Sequence, residues 1–526
     1  MKLSKRSLVV VVVALVAVLS LIGTASAQDP QVPSGPRTLP DYIGAPAKAH
    51  SLAKSGVPQD PYLAPNPYSH AHNDSWNSDT VNIAGPRGRD PEVLSSTLAS
   101  VRQYPGDPLF NCGTMAIDSH GRPLLTCMGL DEALVVLADK DTLQGLAAYP
   151  IPLPTNRLNA LGAFYFYLDN HDRFVIATYP DQVYILAEGE TDANPTLEKV
   201  GGYDLSESVP DGDNIAGVMA DWQGRLWFSI AGAGAEPAKI CVLNPANYTD
   251  TDSGAKCVQF GKDKKGNNEL IRNTFALTED GAYVVSSQKM YGIAAGPDDQ
   301  PYVMWSEPYK TIGEVKSGQY SLGSGTSPTI VGDGKYVGIT DNDDQLHVVV
   351  YQTAARLGPK EKRVVCEFPV FKKGAGADEN SLVGYGLSFL AENNYGYEFD
   401  FSTGEMKPNK PGFARVDIDP DGKGCSLGWK NDEIASSVSG HLSTKTGLYY
   451  TLSRKMDKKM KDKDHPYGLD EYYWTALDWR TGKVVWEKWA GTGTWYDGWY
   501  PGIGIGPNGT MYLGEYGGLL AIRDTH

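Results

Sequence analysis

The 526-residue sequence lacks the short motifs that identify common catalytic and cofactor sites. It has no Cys-x-x-Cys, which argues against structural zinc and dithiol redox chemistry, and no Cys-x-x-Cys-His, which argues against attached haem. It also has no Gly-x-Ser-x-Gly, no His-Glu-x-x-His and no phosphate-binding loop motif. The sequence by itself therefore names no reaction.

Positive charge is also in short supply. Asp and Glu number 63 against 47 Lys and Arg, for a net charge of −16. Because neutralisation of phosphates supplies most of the affinity for nucleic acid, a chain this acidic is not expected to bind it. Helical heptads are missing as well, whereas Gly 58, Tyr 30 and Trp 11 favour short strands joined by tight turns. We predict an all-β fold.

The first 27 residues read as a secretory signal rather than as part of the fold. A basic start is followed by the apolar run Leu8 to Ile22 and then by Ala25-Ser26-Ala27, with cleavage expected before Gln28. The run is short for a membrane span, although an uncleaved anchor is the alternative. We expect a secreted protein, extracellular or periplasmic, that is not an integral membrane protein.

The mature chain begins with a segment rich in Pro and Gly. Residues 28–94 have little hydrophobic periodicity, which predicts an extended, partly disordered leader. All six cysteines come later, and an even number in an oxidising compartment predicts disulfides. The placement of the cysteines around turns predicts the pairs Cys112 with Cys127 and Cys241 with Cys257, which leaves Cys366 to pair with Cys425.

A repeat of an apolar run, a tight polar turn and a second apolar run extends over residues 95–526. Its turns are predicted near Gly121, Asp172, Gly224, Gly281, Gly334, Asn394, Gly447 and Gly509. Eight units of this length match the blades of a single eight-bladed β-propeller. The last unit stops short of an outer strand, so an N-terminal strand within Thr97 to Tyr104 is expected to close the ring and remove the open edge. A monomer is expected.

One hairpin carries a family resemblance. Two strand-like runs flank the turn of Thr475 to Trp489, and the pattern Ala476-x-Asp478-x-x-Thr481-Gly482-x-x-x-Trp486 resembles the repeat of quinoprotein dehydrogenase-like β-propellers. The motifs at residues 72–76, 340–342 and 392–397 resemble an uncharacterised group of secreted propeller proteins. The first resemblance implies pyrroloquinoline quinone and calcium as cofactors. Dehydrogenases with this quinone typically have, in most blades, a Trp that docks between neighbouring blades, and many have two adjacent cysteines. This sequence has one clear docking Trp, Trp486, and no adjacent cysteines.

Polar residues recur where the chain leads into the first strand of successive units. In a propeller these loops converge on the central channel, where a polar small molecule could bind. Asn and Asp as ordinary turn caps are the alternative. The candidate ligand-binding residues are Arg157, Asn159, Asn214, Arg272, Asn273, Glu379, Asn380 and Asp497.

Two further segments are rich in possible metal ligands. Asp341, Asn342 and Asp343 offer the oxygen atoms that calcium prefers, and His70, His72 and Asp74 combine a His-x-His pair with a carboxylate. The segment from His70 to Asp74 is further expected to fold over the channel face as a lid. Both sets are also ordinary polar turn chemistry.

Two functions follow from these observations. The first is a secreted propeller that binds a polar small molecule without catalysis. The second is an enzyme, either a dehydrogenase dependent on quinone and calcium or a metal-assisted hydrolase of the lactonase type. The enzyme alternatives need a cation in the channel to polarise a substrate or activate water.

Overall fold

The computed structural model describes residues 28–44, 49–102, 111–129, 133–152, 164–191, 194–400, 402–436, 438–463 and 465–526. The predicted signal segment, Arg157 and Asn159 lie outside these ranges. No helix within them is long and apolar enough to cross a membrane. The regular structure described is strand, apart from short 3₁₀ turns at Pro245–Asn247, Lys458–Met460 and Thr494–Tyr496.

Three strands come first: β1 (Tyr42–Ile43), β2 (Thr80–Val81) and β3 (Pro91–Ser96). Four four-stranded antiparallel sheets follow, each built from consecutive strands. Sheet 1 has β4 (Asn111–Ile117), β5 (Pro123–Met128), β6 (Ala133–Ala138) and β7 (Gly145–Ile151). Sheet 2 has β8 (Tyr167–Leu168), β9 (Phe174–Thr178), β10 (Gln182–Thr191) and β11 (Asn194–Asp204). Sheet 3 has β12 (Ile215–Ala220), β13 (Leu226–Ile230), β14 (Lys239–Leu243) and β15 (Lys256–Gln259). Sheet 4 has β16 (Ala276–Thr278), β17 (Gly281–Val285), β18 (Lys289–Ala295) and β19 (Pro301–Pro308).

Four more sheets complete the described chain. Sheet 5 has β20 (Thr329–Val331), β21 (Tyr336–Thr340), β22 (His347–Gln352) and β23 (Val364–Pro369). Sheet 6 has β24 (Val383–Tyr385), β25 (Ser388–Glu392), β28 (Phe413–Ile418) and β29 (Cys425–Asn431), with the hairpin β26 (Phe399–Asp400) and β27 (Glu405–Met406) inserted. Sheet 7 has β30 (Ala435–Ser436), β31 (His441–Ser443), β32 (Leu448–Asp457), β33 (Leu469–Asp478) and β34 (Val484–Thr492), joined by β1 and β2. Sheet 8 has β35 (Gly504–Ile505), β36 (Met511–Glu515), β37 (Gly518–Asp524) and the early strand β3.

Successive up-and-down sheets of this size are the arrangement of a β-propeller. The predicted all-β, propeller-like fold is confirmed at this level. Apolar residues of neighbouring sheets pack together, as where a buried cluster holds Met115 of sheet 1 with Leu513 of sheet 8. The hairpin at Thr475 to Trp489 is also confirmed, because Ala476 lies opposite Trp486 in β33 and β34.

Six of the eight predicted turns join the first two strands of a sheet, Gly447 joins β31 to β32, and one prediction is wrong. Asn394 follows β25, at the opposite end of sheet 6, and the turn between β24 and β25 lies at Gly386 instead. The error arose because the five-residue β25 is followed by a second polar turn of similar composition. Glu392 to Asn394 consequently lie at the end of the fold where the channel-facing loops collect.

The strand that completes sheet 8 lies a few residues before the predicted one. Pro91 pairs with Asp524 and Ser96 with Leu519, so an N-terminal strand does supply the missing outer strand. The strand ends at Ser96 and does not continue into residues 97–102, because Leu98 has a φ of +54° and the amide of Val101 donates to the Leu98 carbonyl. Gln103 and Tyr104 of the predicted strand lie outside the described residues. Leu98 is fully buried, so an apolar residue is needed at this position even though the segment is not a strand.

The three predicted disulfides are present. Cys112 lies opposite Cys127 in β4 and β5, and Cys241 lies opposite Cys257 in β14 and β15. Cys366 and Cys425 join the outer strands of sheets 5 and 6. Three disulfides fit an oxidising compartment.

Part of the predicted leader is packed inside the fold. Its residues 68–81, named here the plug, cross the innermost strands of several sheets and are almost entirely buried. Plug carbonyls accept backbone hydrogen bonds from strands of sheets 1, 2, 4, 5, 6 and 7; the donors are Ile117, Leu168, Leu277, Ile330, Gly384, Leu442 and Thr444. The predicted lid is therefore an internal element and does not fold over the outside of the channel.

Candidate functional site

A cavity of about 150 Å³ opens where the chain leads into the first strands of the sheets. Its polar wall comes from the plug and from the loops that precede β16, β20, β24 and β31; these residues are His72, Arg272, Asn273, Ser327, Glu379, Ser381 and Ser439. Its remaining wall is largely aromatic and apolar, with Met128, Phe164, Tyr165, Tyr320, Trp499, Tyr500 and Pro501. At about 30 Å³ per water in the liquid, the volume suits a small molecule.

His72 connects the plug to this cavity. Its Nδ1 lies 3.3 Å from Asp79 Oδ1, a buried carboxylate that also lies 3.1 Å from His441 Nε2. Burial opposes the ionisation of Asp79, but the two facing imidazoles outweigh it and lower the pKa of Asp79 to about 2. Asp79 is thus an anion that holds the Nδ1 side of His72 within the fold.

The other ring nitrogen of His72 faces two serines. His72 Nε2 lies 3.1 Å from Ser381 Oγ and 3.2 Å from Ser327 Oγ. Ser381 precedes β24 and Ser327 precedes β20, so the imidazole bridges the inner loops of sheets 5 and 6. The Asp79 carboxylate therefore contacts the His72 imidazole, which contacts the Ser381 hydroxyl on the cavity wall.

The cavity carries charges of both signs. Arg272 has no hydrogen bond or ion pair with the residues that the structure describes, and burial lowers its pKa while Asp213 and Glu379 oppose that shift. Arginine stays charged under such shifts. Burial raises the pKa of Glu379 to about 8, against hydrogen bonds from Tyr320 and Ser321 and the charge of Arg272. Near neutral pH the cavity therefore holds a cation beside a carboxyl group that can carry a proton.

The loop before β35 supplies an unusual aromatic wall. Trp499 and Tyr500 have φ values of +50° and +72°, a conformation that bulky residues rarely adopt. Trp499 Nε1 donates to Tyr320 Oη at 2.6 Å and Tyr500 Oη donates to the Gly318 carbonyl at 2.8 Å, so the strained loop is fixed against sheet 5. Such strain concentrates at functional sites.

The predicted ligand-binding residues divide into those on the wall and those behind it. Arg272, Asn273 and Glu379 line the cavity. Asn380 lies one layer back, where its amide donates to Glu392 at 2.9 Å and its Oδ1 accepts from Ser439 at 2.8 Å.

The other two described candidates are structural. Asp497 accepts from the hydroxyls of Tyr397 and Tyr472 and from the amide of Trp499, so it fixes the aromatic loop. The amide of Asn214 donates to the carbonyl of its neighbour Ile215. Neither residue lies on the cavity wall.

The expected His-x-His metal site is not assembled. His70 is not on the cavity wall; its Nδ1 accepts from the His72 amide, and burial lowers its pKa to about 3. Asp74 accepts from Ser78 and from the amide of Trp76, as a turn cap does. Of the described residues, no three His, Asp, Glu or Cys donors converge at the cavity.

The expected calcium set does not fit calcium either. Asp341 and Asp343 do approach each other, but their third neighbour is His347, whose Nδ1 lies 2.7 Å from Asp341 Oδ2. The other Asp341 oxygen accepts from the His347 amide, and the buried Lys316 ammonium lies against the Asp343 carbonyl. The Asn342 side-chain amide donates to the Glu314 and Leu322 carbonyls, so the polar groups of this turn are engaged in structural hydrogen bonds.

Pyrroloquinoline quinone, implied by the family resemblance, is a fused-ring quinone with three carboxylates. The cavity of about 150 Å³ is smaller than the roughly 300–1,000 Å³ typical of sites for larger ligands. Among the described wall residues Arg272 is the one permanent cation. The residues present do not fit this cofactor.

Several residues of the site were missed from the sequence. Ser381 and Ser327 were not singled out, and Asp79 was considered only as a possible metal ligand, because the relation of all three to His72 depends on where the plug packs. Glu392 was assigned to the wrong end of sheet 6. Its burial beside Asp378 raises the pKa of both carboxyls, that of Glu392 to about 8. The Gly498-Trp-Tyr-Pro501 sequence was the one local signal that could have marked the aromatic wall.

Comparisons with known proteins assign no function to this chain. No protein-family model matches the chain. A protein of Archaeoglobus fulgidus, known only as an uncharacterized protein, is 24% identical over 397 residues, which cover 70% of this chain and 71% of that protein. Solved structures that are similar include Chaetomium thermophilum Sqt1 bound to the N-terminus of ribosomal protein L10, at 10% identity, 80% and 97% coverage and a TM-score of 0.45. The β-propeller domain of Myceliophteria thermophila Cps50 (Swd1) follows at 10% identity, 68% and 94% coverage and a TM-score of 0.37.

Proposed function

We propose that this protein is a secreted, monomeric β-propeller of eight blades whose central cavity binds a small polar molecule with an anionic group. Residues 1–27 are its signal segment, the leader up to residue 90 supplies the plug, and the ring starts at β3. The pairing of β3 with β37 and the packing of Met115 with Leu513 support closure between sheets 8 and 1.

Arg272 beside Glu379 is the observation that carries the ligand proposal. A guanidinium without a described partner on a small buried wall is suited to a carboxylate, which it can bind through two parallel hydrogen bonds. Protonated Glu379 supplies a further donor, and the aromatic side chains supply apolar contact. A quinone-dependent dehydrogenase receives no comparable support from these residues.

The proposal is tested by titrating the purified protein with small carboxylates such as acetate, lactate and succinate, followed by calorimetry. We expect saturable binding of at least one probe, and Arg272→Ala should weaken it by ten-fold or more, since a charge-assisted pair is worth about 1.5–3 kcal/mol. Arg356→Ala, which changes an exposed arginine elsewhere, is the matched control. Equal binding by both variants would remove Arg272 from the site.

A further inference from the structure

We propose that Asp79, His72 and Ser381 form a catalytic triad, with Ser381 as the nucleophile toward small carboxylic esters. This assignment rests on the cavity being the ligand site, as proposed above, and adds a reaction to it. Nucleophilic catalysis by serine needs a base within hydrogen-bond reach and a third group that orients the base. The Asp79, His72 and Ser381 contacts of 3.3 and 3.1 Å supply both.

The plug makes this constellation rigid. The Asp79 carbonyl accepts from the Leu442 amide and the Ser78 carbonyl accepts from the Gly384 amide, so the orienting carboxylate is tied to sheets 7 and 6. The His72 amide donates to His70 Nδ1 at 3.2 Å. Catalytic side chains need this kind of fixed support to hold a productive geometry.

Ser381 is the better nucleophile of the two serines. Its hydroxyl has His72 as its side-chain partner among the described residues, and it is 7% exposed against 2% for Ser327. The Ser327 hydroxyl also bonds to the buried phenol of Tyr165. Asn273 on the same wall offers a side-chain amide N–H to a developing oxyanion.

The reaction is hydrolysis and needs only water as a co-reactant. Ser381 Oγ bonds to the ester carbonyl carbon while its proton moves to His72 Nε2, and the bond to the alcohol oxygen then breaks as that oxygen takes the proton. Water next attacks the acyl-serine, gives a proton to His72, and releases the carboxylic acid as Ser381 regains its proton. Arg272 selects esters that carry a second, ionised carboxylate.

Covalent labelling of the full mature protein tests the nucleophile without depending on ligand affinity. Methanesulfonyl fluoride, which is small enough for the cavity, is expected to add one methanesulfonyl group to Ser381 with loss of fluoride, as located by peptide mass spectrometry. His72→Ala should slow labelling by about 10²-fold or more. Ser206→Ala, which changes an exposed serine that is not on the cavity wall, is the matched control and should label at the wild-type rate.

Turnover of monomethyl succinate separates the roles of the wall residues. Ser381→Ala should lower kcat by about 10³-fold or more, Asp79→Asn should lower kcat with KM unchanged, and Arg272→Ala should mainly raise KM. If the wild-type protein carries no adduct on Ser381, or carries it on Ser327 instead, the assignment is wrong. This test uses the wild-type protein and does not depend on the folding of any variant. Labelled Ser381 with carboxylate binding indifferent to Arg272 would keep the nucleophile and refute the proposed ligand.

Discussion

At the scale of single residues, the channel end of this protein concentrates carboxyl groups that ionise poorly. Asp378, Glu379 and Glu392 are close in the fold, and burial raises the pKa of each. Glu392 Oε1 accepts from the side-chain amides of Asn380 and Asn394, whereas within the described residues no hydrogen bond reaches its buried Oε2. Protonation of Oε2 removes the cost of burying a carboxylate whose charge is only partly compensated by hydrogen bonds.

Replacement of Glu392 by Gln should therefore change how stability depends on pH. The pKa of Glu392 is raised from 4.5 to about 8 in the folded protein. The stability that this group contributes is therefore fully present below pH 4.5 and is lost as the pH rises from 4.5 through 8. Between these values the free energy of unfolding should fall with pH by up to about 1.4 kcal/mol per unit for this group. Urea titrations at several pH values should show Glu392→Gln flatter than wild type and more stable, by about 1–3 kcal/mol, at pH 8.

The exposed Glu207→Gln variant, which removes one carboxylate far from this cluster, provides the control. It should follow the wild-type curve. Parallel curves for wild type and Glu392→Gln would mean that Glu392 is ionised in the folded state across this range.

At the scale of elements, the leader is held by close contacts that leave no room for side chains. Gly88 has a φ of +80°, and a Cβ built there would lie 2.8 Å from the ring of Trp486. Trp486 is the docking Trp of the hairpin that suggested the family resemblance, and it is 1% exposed. The leader therefore covers an aromatic residue that the sequence pattern assigned to packing between blades.

Gly88→Ala and Gly212→Ala separate backbone strain from this contact. Gly212 has nearly the same φ, +81°, but no described atom lies within 4 Å of its built Cβ. Gly212→Ala should cost about 1–2 kcal/mol for the left-handed conformation alone. Gly88→Ala should cost a further 1–3 kcal/mol for overpacking against Trp486, measured by chemical unfolding. Equal losses would show that the leader moves aside freely.

The sequence predicted those elements that local chemistry specifies. Gly121, Gly224 and Gly334 each adopt the positive φ that a turn requires, and the turn positions followed from them. The hairpin disulfides followed from the spacing of the cysteines around such turns. The plug could not be predicted in this way, because it is held by its backbone carbonyls, which every residue possesses. Its consequence, the meeting of His72 with Ser381, depends on residues 309 positions apart.

At the scale of the whole molecule, disulfides connect sheets as well as strands. Cys112 and Cys127 close a 15-residue separation within sheet 1, whereas Cys366 and Cys425 close 59 residues between sheets 5 and 6. A chain-entropy estimate gives about 3 kcal/mol for the first and about 4 kcal/mol for the second. The longer link constrains the unfolded chain more.

Paired Cys→Ala variants should thus rank in that order. We expect Cys366→Ala with Cys425→Ala to lower the free energy of unfolding by about 4 kcal/mol, and Cys241→Ala with Cys257→Ala by about 3 kcal/mol. Denaturant titration of the two variants beside wild type measures both losses. A smaller loss for the inter-sheet pair would show that strain or sheet contacts, rather than chain entropy, dominate.

The plug joins sheets that are distant in sequence, so its removal should affect the molecule as a whole. Seven backbone amides of six sheets donate to carbonyls of residues 68–81. Each amide left buried without a partner costs about 1–3 kcal/mol, so the sum is on the order of the 5–15 kcal/mol that typically stabilises a folded protein.

A chain that starts at Gly85 keeps β3 but lacks the plug, and it should show no cooperative thermal transition. A chain that starts at Ala49 lacks only β1 and the first leader segment, and it should unfold cooperatively at a lower midpoint than wild type. Calorimetry of the two truncated chains measures both, and a cooperative transition in the chain from Gly85 would mean that the sheets assemble without the plug.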